Sequence, residues 1–257
     1  MLNWFKRAKG TPAARPAGPV DTAAAPDRAF SARAPRVEIL PLHDISFIPE
    51  SAAGRTSPAM SVANISVTGA GIFKGNSGIA VAPGELFKGV FVIPGLQCPA
   101  AIRVMHSHTK IIGGRFEDLQ REAEKMVIQY FNAEIGAIKM YEVNAKMLKP
   151  EPDGKPRWFC SSDRCELFVV ESEGKVVRFN IAFFGNFFEG GEGKPVKYGH
   201  IIEDDKGVKG KGSALVDLVA TTNKTDLDLA VKFVMNIEQL ERGQRERIAD
   251  YLRASIR

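Results

Sequence analysis

The chain has 257 residues, of which 44% are hydrophobic and 25% are charged, a composition typical of a folded globular protein. No apolar stretch approaches the roughly 20 residues that a membrane-spanning helix needs, and the odd count of three cysteines does not suit a disulfide framework. We therefore expect a cytoplasmic protein. The net charge of +5 lies within residues 1–36, because the remaining residues carry equal numbers of basic and acidic side chains. A nucleic-acid-binding surface is therefore not expected on the folded part.

Residues 1–32 are rich in alanine and proline and are predicted to form a disordered leader. A first domain is predicted over residues 33–148. Its strands are indicated by β-branched and aromatic residues between Gly, Pro and Asn breaks. The predicted strands are Val37–Leu42, Ser61–Val67, Gly69–Phe73, Glu85–Ile93 and Ala101–His108. Apolar residues at helical spacing then predict an amphipathic helix over Glu117–Phe131.

Three prolines mark Lys149–Pro156 as a linker, and a second domain is predicted over residues 157–257. The same strand signals return there. The predicted strands are Glu166–Val170, Val176–Phe184, Val196–Glu203, Ala214–Ala220 and Leu227–Val234. The chain is predicted to end in a helix over about Ile237–Ile256.

The two predicted helices resemble each other. EDLQREAEKMVIQYF, starting at Glu117, and EQLERGQRERIADYL, starting at Glu238, share four identities, and each follows a basic residue and a phenylalanine. Any amphipathic helix that packs on a sheet would share part of this pattern, but a duplication is the favoured interpretation. The predicted fold is therefore mainly β, with two tandem small β-barrel-like domains, each followed by a C-terminal helix.

A short motif stands at the end of the second predicted strand. The residues Asn64, Ser66 and Gly69 form Asn-x-Ser-x-x-Gly, and Arg33 and Arg36 lie just before the first predicted strand. Taken alone, the motif could be only the polar face of a strand that enters a turn. The arginines upstream and the strand and helix downstream make a ligand site the favoured interpretation.

Together these features resemble the PilZ family. That family carries Arg-x-x-x-Arg before its first strand and Asp/Asn-x-Ser/Ala-x-x-Gly at the end of the second. The second signature is complete here, but Ala32 stands where the first arginine is expected, with Arg33 one place away. The resemblance covers about Ala32 to Glu142.

The resemblance implies a receptor for the bacterial second messenger cyclic di-GMP, with Arg33, Arg36, Asn64, Ser66 and Gly69 as ligand-binding residues. Arginine suits this ligand, because its planar fork binds phosphate or the O6 and N7 acceptors of guanine. Binding is expected to order the arginine segment on the barrel. The resemblance also implies a protein partner, for example in motility or polysaccharide export, and no further cofactor. The alternative is a PilZ-like adaptor that has lost the ligand and acts through protein contacts alone.

Other candidate sites are not favoured by the sequence. Cys160 and Cys165 could supply half of a zinc site, but neither Cys98 nor the histidines have a matching spacing. His106 and His108 would face the same side of a strand, with no acidic partner before Glu117. We find neither a nucleophile–base order nor a recognisable pair of catalytic carboxylates, so neither a metal site nor an enzyme is expected.

Overall fold

A computed structural model describes residues 34–50, 57–75, 78–117, 121–202, 215–220 and 223–255. In these ranges the protein is mainly β, with two antiparallel sheets and two pairs of helices. The strands of the first sheet are β1 (Val37–Glu38), β2 (Ser46–Pro49), β3 (Met60–Ser66), β4 (Gly69–Phe73), β5 (Leu86–Ile93), β6 (Leu96–Ser107) and β7 (Ile111–Phe116). Those of the second sheet are β8 (Tyr141–Glu142), β9 (Lys155–Cys160), β10 (Glu166–Ser172), β11 (Lys175–Phe183), β12 (Asn186–Gly191), β13 (Lys194–Ile202) and β14 (Leu215–Val219). The helices are α1 (Arg121–Tyr130), α2 (Asn132–Ile138), α3 (Lys224–Met235) and α4 (Arg242–Ala254).

Among the described residues, six antiparallel strands of the first sheet close into a barrel. They pair in the order β3, β2, β5, β6, β7, β4, and β4 returns to pair with β3. Alternating apolar residues fill the interior, with Phe47, Ile65, Ile72 and Ile102 all buried. The barrel expected at the N-terminal end of the fold is therefore present.

Strand β3 has three partners, and this arrangement positions the candidate site. Its C-terminal half pairs with β1, where Val37 lies opposite Ile65 and Glu38 opposite Asn64. Its N-terminal half pairs with β2, and β4 runs along its other side. The short strand β1 thus continues the position of β2 along one edge of β3.

The second sheet is a meander and not a second barrel. Each strand pairs with its neighbours in sequence, so that β8 and β14 lie at opposite ends of the order. Arg157 of β9 fastens one end of this sheet: it donates hydrogen bonds to Glu142 of β8 at 2.7 Å, to Glu171 of β10 at 2.8 Å and to Gln244 of α4 at 3.2 Å. The bond from Arg157 lowers the pKa of the Glu142 carboxyl. Because β8 and β14 of the second sheet do not pair with each other, the expectation of tandem barrels is not confirmed for the described residues.

The strand predicted over Leu227–Val234 is wrong, because these residues belong to helix α3. Leu227, Ala230, Val231 and Val234 are buried, at the spacing of one helical face. The side chain of Asn223 caps the helix by accepting a hydrogen bond from the backbone N–H of Asp226 at 2.9 Å. The supposed repeat of a strand ending in a basic residue and phenylalanine is lost with this correction.

Other predicted elements are observed with the same ends, with shifted ends or in part. Strand β4 has the predicted bounds Gly69–Phe73, whereas the predicted Val37–Leu42 is only the two residues of β1 followed by a 3-10 turn over Pro41–His43. The helix predicted over Glu117–Phe131 is observed as α1 and continues into α2. The predicted linker Lys149–Pro156 ends inside β9.

Helix α2 lies between two hydrophobic cores. Its Ala133 and Ala137 belong to the core of the second sheet, which α3 and α4 complete. Its Ile135 and Ile138 pack against the barrel core. A ring stack at 4.3 Å between Phe183 of β11 and Phe233 of α3 lies in the centre of the second core. The two sheets are therefore joined by a shared apolar helix.

Within the described ranges, no helix is both long enough and apolar enough to cross a membrane.

Candidate ligand-binding site

Strand β1 brings the upstream arginine beside the motif strand. Arg36 is exposed and immediately precedes β1. Because Val37 pairs with Ile65 in an antiparallel register, Arg36 lies at the Ser66 end of β3. The arginine and the motif, which are far apart in the sequence, are thus neighbours on the outside of the barrel. Arg33 and Ala32 lie outside the described residues.

Ser66 stabilises the hairpin between β3 and β4. Its side chain is only 3% exposed. The hydroxyl donates to the carbonyl of Gly69 at 3.2 Å and accepts from the backbone N–H of Thr68 at 3.3 Å. These are the bonds of a tight turn in which a hydroxyl replaces backbone partners. Ser66 therefore shapes the end of β3.

Gly69 is required by close strand packing. A Cβ at this position would lie 2.1 Å from the carbonyl oxygen of Gly114 in β7. The φ angle of Gly69 is not among the positive values of the chain. The glycine is therefore needed here for the close approach of a backbone atom of β7 and not for a positive φ.

Asn64 is the motif residue with unused hydrogen-bonding capacity. It is half-buried, lies opposite Glu38 of β1 and Gly71 of β4, and its amide group packs over Gly71. Within the described part of the chain, its buried Oδ1 accepts no hydrogen bond. A buried acceptor without a donor costs about 1–3 kcal/mol. A rotation of the amide group that exposes Oδ1 to an N–H donor would remove this cost.

An apolar cleft opens beside the motif, between the β1–β3 pair and the two helices that follow the barrel. Its volume is about 200 Å³. The strand side contributes Pro35, Val37 and Ile65, and the helix side contributes Val127, Ile128 and Ile135. Ser66 and Lys139 are polar members of the lining. The cleft could accept a flat apolar face, with a hydroxyl and an ammonium group at its boundary.

Helix α3, which packs on the second sheet, contacts the same β1 strand from the other side. Asn236, which ends α3, accepts a hydrogen bond from the backbone N–H of Glu38 at 3.1 Å and donates to the carbonyl of Lys232 at 3.0 Å. Asn236 is buried. The strand that carries Arg36 into the site is therefore held by β3 on one side and by Asn236 on the other.

A buried pair anchors the turn after β1. The backbone N–H of Leu40 donates to Nδ1 of His43 at 2.8 Å, so that Nε2 carries the proton and donates to Oε1 of Glu134 at 2.9 Å. Both side chains are buried. The hydroxyl of Tyr130 also donates to the carbonyl of His43 at 2.5 Å. These bonds fix the barrel entry against α1 and α2.

Sequence reasoning did not find Lys139, Asn236, His43 or Glu134. Each of them acts through a partner that is distant in the chain, and no local motif marks it. One local signal was available, since Asn236 directly follows the apolar helical face of α3, where an end-capping side chain is common.

The other residues considered from the sequence are placed apart from this cleft. His106 and His108 are exposed on β6 and beyond it, with ring centroids 5.4 Å apart. Cys165 is buried in the second core, and burial raises its pKa to about 11. Burial also raises the pKa of Cys98 in the barrel. These thiols are held in the protonated form and pack as apolar side chains.

Comparison with known proteins adds little to this geometry. No model of a protein family matches the chain, and no curated protein matches it. Among solved structures, it is similar to a Legionella uncharacterized protein, Lpg0364, with a TM-score of 0.27 and 13% sequence identity. That match covers 38% of this chain and 89% of the other. A similarity at this level does not bear on the fold or the function.

Proposed function

We propose that this protein is a PilZ-like receptor for cyclic di-GMP and that it works in the cytoplasm, where it transmits the level of this messenger by binding alone. The observation that carries the proposal is the pairing of β1 with β3 on a closed six-stranded barrel. This pairing sets the exposed Arg36 beside Asn64 and Ser66, as a single binding site would require.

The chemistry of these groups suits the ligand. Arg36 can bind a phosphate or a guanine edge with two parallel hydrogen bonds. The Oδ1 of Asn64, which has no partner in its buried position, could accept from a guanine N–H group after the amide group rotates outward. Ser66 and Gly69 hold the hairpin that presents Asn64. Arg33, close upstream of Arg36, would add a second cation when the segment orders over the ligand.

The route of the signal is part of the proposal. Ordering of the arginine segment would restrain β1. The backbone N–H of Glu38 in β1 donates a hydrogen bond to Asn236 at the end of α3, which packs on the second sheet. The second sheet would then present the ligand state to a protein partner, for which motility or polysaccharide-export machinery is the expectation from the family resemblance.

Calorimetric titration of the full chain with cyclic di-GMP tests the proposal. We expect saturable binding by the wild-type protein and a loss of about tenfold or more in affinity for Arg36→Ala and for Asn64→Ala, because each removes a hydrogen bond to a charged or buried group. Arg253→Ala is the matched control, since Arg253 is an exposed arginine of α4 whose partner is Asp250.

Folded wild-type protein that shows no binding at high micromolar ligand would overturn the receptor proposal. In that case the ligand-free adaptor is the remaining candidate. Equal affinity of wild type and Arg36→Ala would show that any binding occurs elsewhere on the molecule.

A further inference from the structure

Lys139 occupies a position from which a lysine can reach a ligand in the cleft. It forms the C-terminal cap of α2, and it lines the cleft opposite Pro35 and Ser66. Pro35 is the residue next to Arg36. Lys139 is therefore the cation that lines the cleft, and Arg36 lies next to its strand wall without lining it.

The present partner of Lys139 is an aspartate in a loop between two strands of the second sheet. Nζ of Lys139 lies 3.0 Å from Oδ2 of Asp163, in the loop between β9 and β10. The two side chains are 46% and 39% exposed. Exposed ion pairs of this kind contribute little net free energy, because water solvates both charges well. The pair can therefore exchange for a better partner.

Asp163 is held in place without Lys139. Its backbone N–H donates to the hydroxyl of Ser161 at 3.2 Å, and its carboxylate accepts from the hydroxyl of Ser162 at 3.3 Å. The loop thus keeps its carboxylate pointing toward the end of α2 when the lysine leaves. An anion in the cleft would therefore compete for Lys139 with a carboxylate whose position is fixed.

We propose that Lys139 is a phosphate-binding residue of this site, that it supplies the cation missing at Ala32, and that it exchanges Asp163 for a phosphate of the bound nucleotide. This inference rests on the proposed cyclic di-GMP function. A ligand with two phosphates can use more than one cation: Lys139 lines the cleft, and Arg36, next to the lining residue Pro35, would meet the second phosphate outside it. The apolar interior of the cleft accepts the face of a base, while the phosphates stay at the rim, where water and the two cations stabilise them.

The exchange has a consequence for the second sheet. Asp163 loses its contact with α2 when Lys139 turns to the ligand, so a link between the helix after the barrel and the β9–β10 loop opens in the bound state. Ligand binding and the Lys139–Asp163 pair are thus mutually exclusive. Removing the aspartate favours binding, and removing the lysine opposes it.

Titration of full-length variants with cyclic di-GMP separates the two residues. We expect Lys139→Ala to bind about tenfold or more weakly, through loss of a charge-assisted bond to phosphate, and Lys139→Arg to retain binding. We expect Asp163→Asn to bind about two- to fivefold more tightly, the size of an exposed ion pair. In the double variant Lys139→Ala/Asp163→Asn the aspartate change is expected to have no effect, because its target is gone.

Lys224→Ala is the matched control, because Lys224 forms a similar exposed pair with Asp228 on α3, at 2.7 Å, and does not line the cleft. Its affinity is expected to equal that of wild type. If the wild-type protein binds and Lys139→Ala binds equally well, the inference about Lys139 fails while the receptor proposal stands. If Arg36→Ala and the wild-type protein both fail to bind, both proposals fail. A gain in affinity for Asp163→Asn that persists in the double variant would also overturn the exchange.

Discussion

Gly69, Ser66 and Asn64 have different structural roles in the barrel. Gly69 is fixed by the carbonyl of Gly114 in β7, and Ser66 by the turn at Thr68, so the barrel alone gives both a structural role. Asn64 is different, because its buried Oδ1 accepts no hydrogen bond from the described residues. The sequence could predict which residues stand at the end of the strand. It could not predict these separate roles, because the role of Gly69 depends on β7, which is distant in the chain, and that of Asn64 depends on how its amide group packs on β4.

At Gly69 the structure predicts a large loss of stability. Gly69→Ala places a methyl group against a backbone oxygen, which cannot move without separating β4 from β7, and overpacking of this kind costs about 1–3 kcal/mol. Gly243→Ala is the control with the opposite sign. The added methyl there meets nothing within 4 Å in helix α4, so the free energy of unfolding should rise by up to about 1 kcal/mol. Urea denaturation of both variants measures the difference, and a Gly69→Ala protein as stable as wild type would contradict the packing argument.

At the scale of elements, the strands of the barrel were easier to predict from the sequence than helix α3. The β-branched and aromatic content of Leu227–Val234 indicated a strand, but burial at Leu227, Ala230, Val231 and Val234 follows a helical period. The cap at Asn223 was a second helical signal. Strands β2, β9 and β12 were missed, because proline or glycine within or beside them resembled a break, and β8 was missed because two residues form no pattern. Composition outweighed periodicity in both errors.

The residues of the candidate site also divide into those that the sequence could group and those that it could not. Arg36 and Asn64 were grouped through a family resemblance, and the β1–β3 register makes them neighbours. Lys139 and Asn236 could not be grouped with them, because their proximity arises from the packing of α2 and α3 against the barrel. Short-range patterns carry no information about such contacts.

The hydrogen bond between Glu38 of β1 and Asn236 gives a prediction at this scale. Asn236→Ala removes the acceptor for the partly buried backbone N–H of Glu38, so we expect a loss of about 0.5–1.5 kcal/mol in stability and faster hydrogen exchange at the Glu38 amide. Asn144→Ala is the control, because Asn144 caps an exposed 3-10 turn by accepting from the N–H of Lys146 at 3.0 Å. Its cost should be smaller. Unchanged exchange at Glu38 in Asn236→Ala would show that β3 alone holds β1.

At the scale of the whole molecule, α2 joins the two sheets. Ala133 and Ala137 serve one core, Ile135 and Ile138 the other, and Glu134 between them binds the buried His43 of the barrel entry. A helix that is shared in this way cannot unfold with one sheet and stay folded with the other. The barrel and the meander should therefore lose structure together.

Glu134→Ala tests this coupling. It leaves the Nε2–H group of His43 buried without an acceptor, which should cost about 2–3 kcal/mol. Fluorescence of Trp158 in β9 and hydrogen exchange of the barrel amides should shift by the same free energy. Glu246→Ala, which breaks only the exposed pair with Arg242 on α4, should cost about 0.5 kcal/mol or less. Separate transitions for the two probes would show that the sheets unfold independently.

The structural demand on Gly69 and Ser66 changes what their presence in another sequence means. A barrel of this type that binds no nucleotide would still favour both residues, because Gly69 lets β4 pack on β7 and Ser66 stabilises the turn between β3 and β4. Natural selection for folding alone can therefore maintain most of the motif, so that the motif by itself is a marker of architecture. Arg36 and Lys139 are exposed side chains, and neither is packed in a core. If the proposed receptor function holds, these two positions, and not the motif, are expected to distinguish receptors from proteins that share only the barrel.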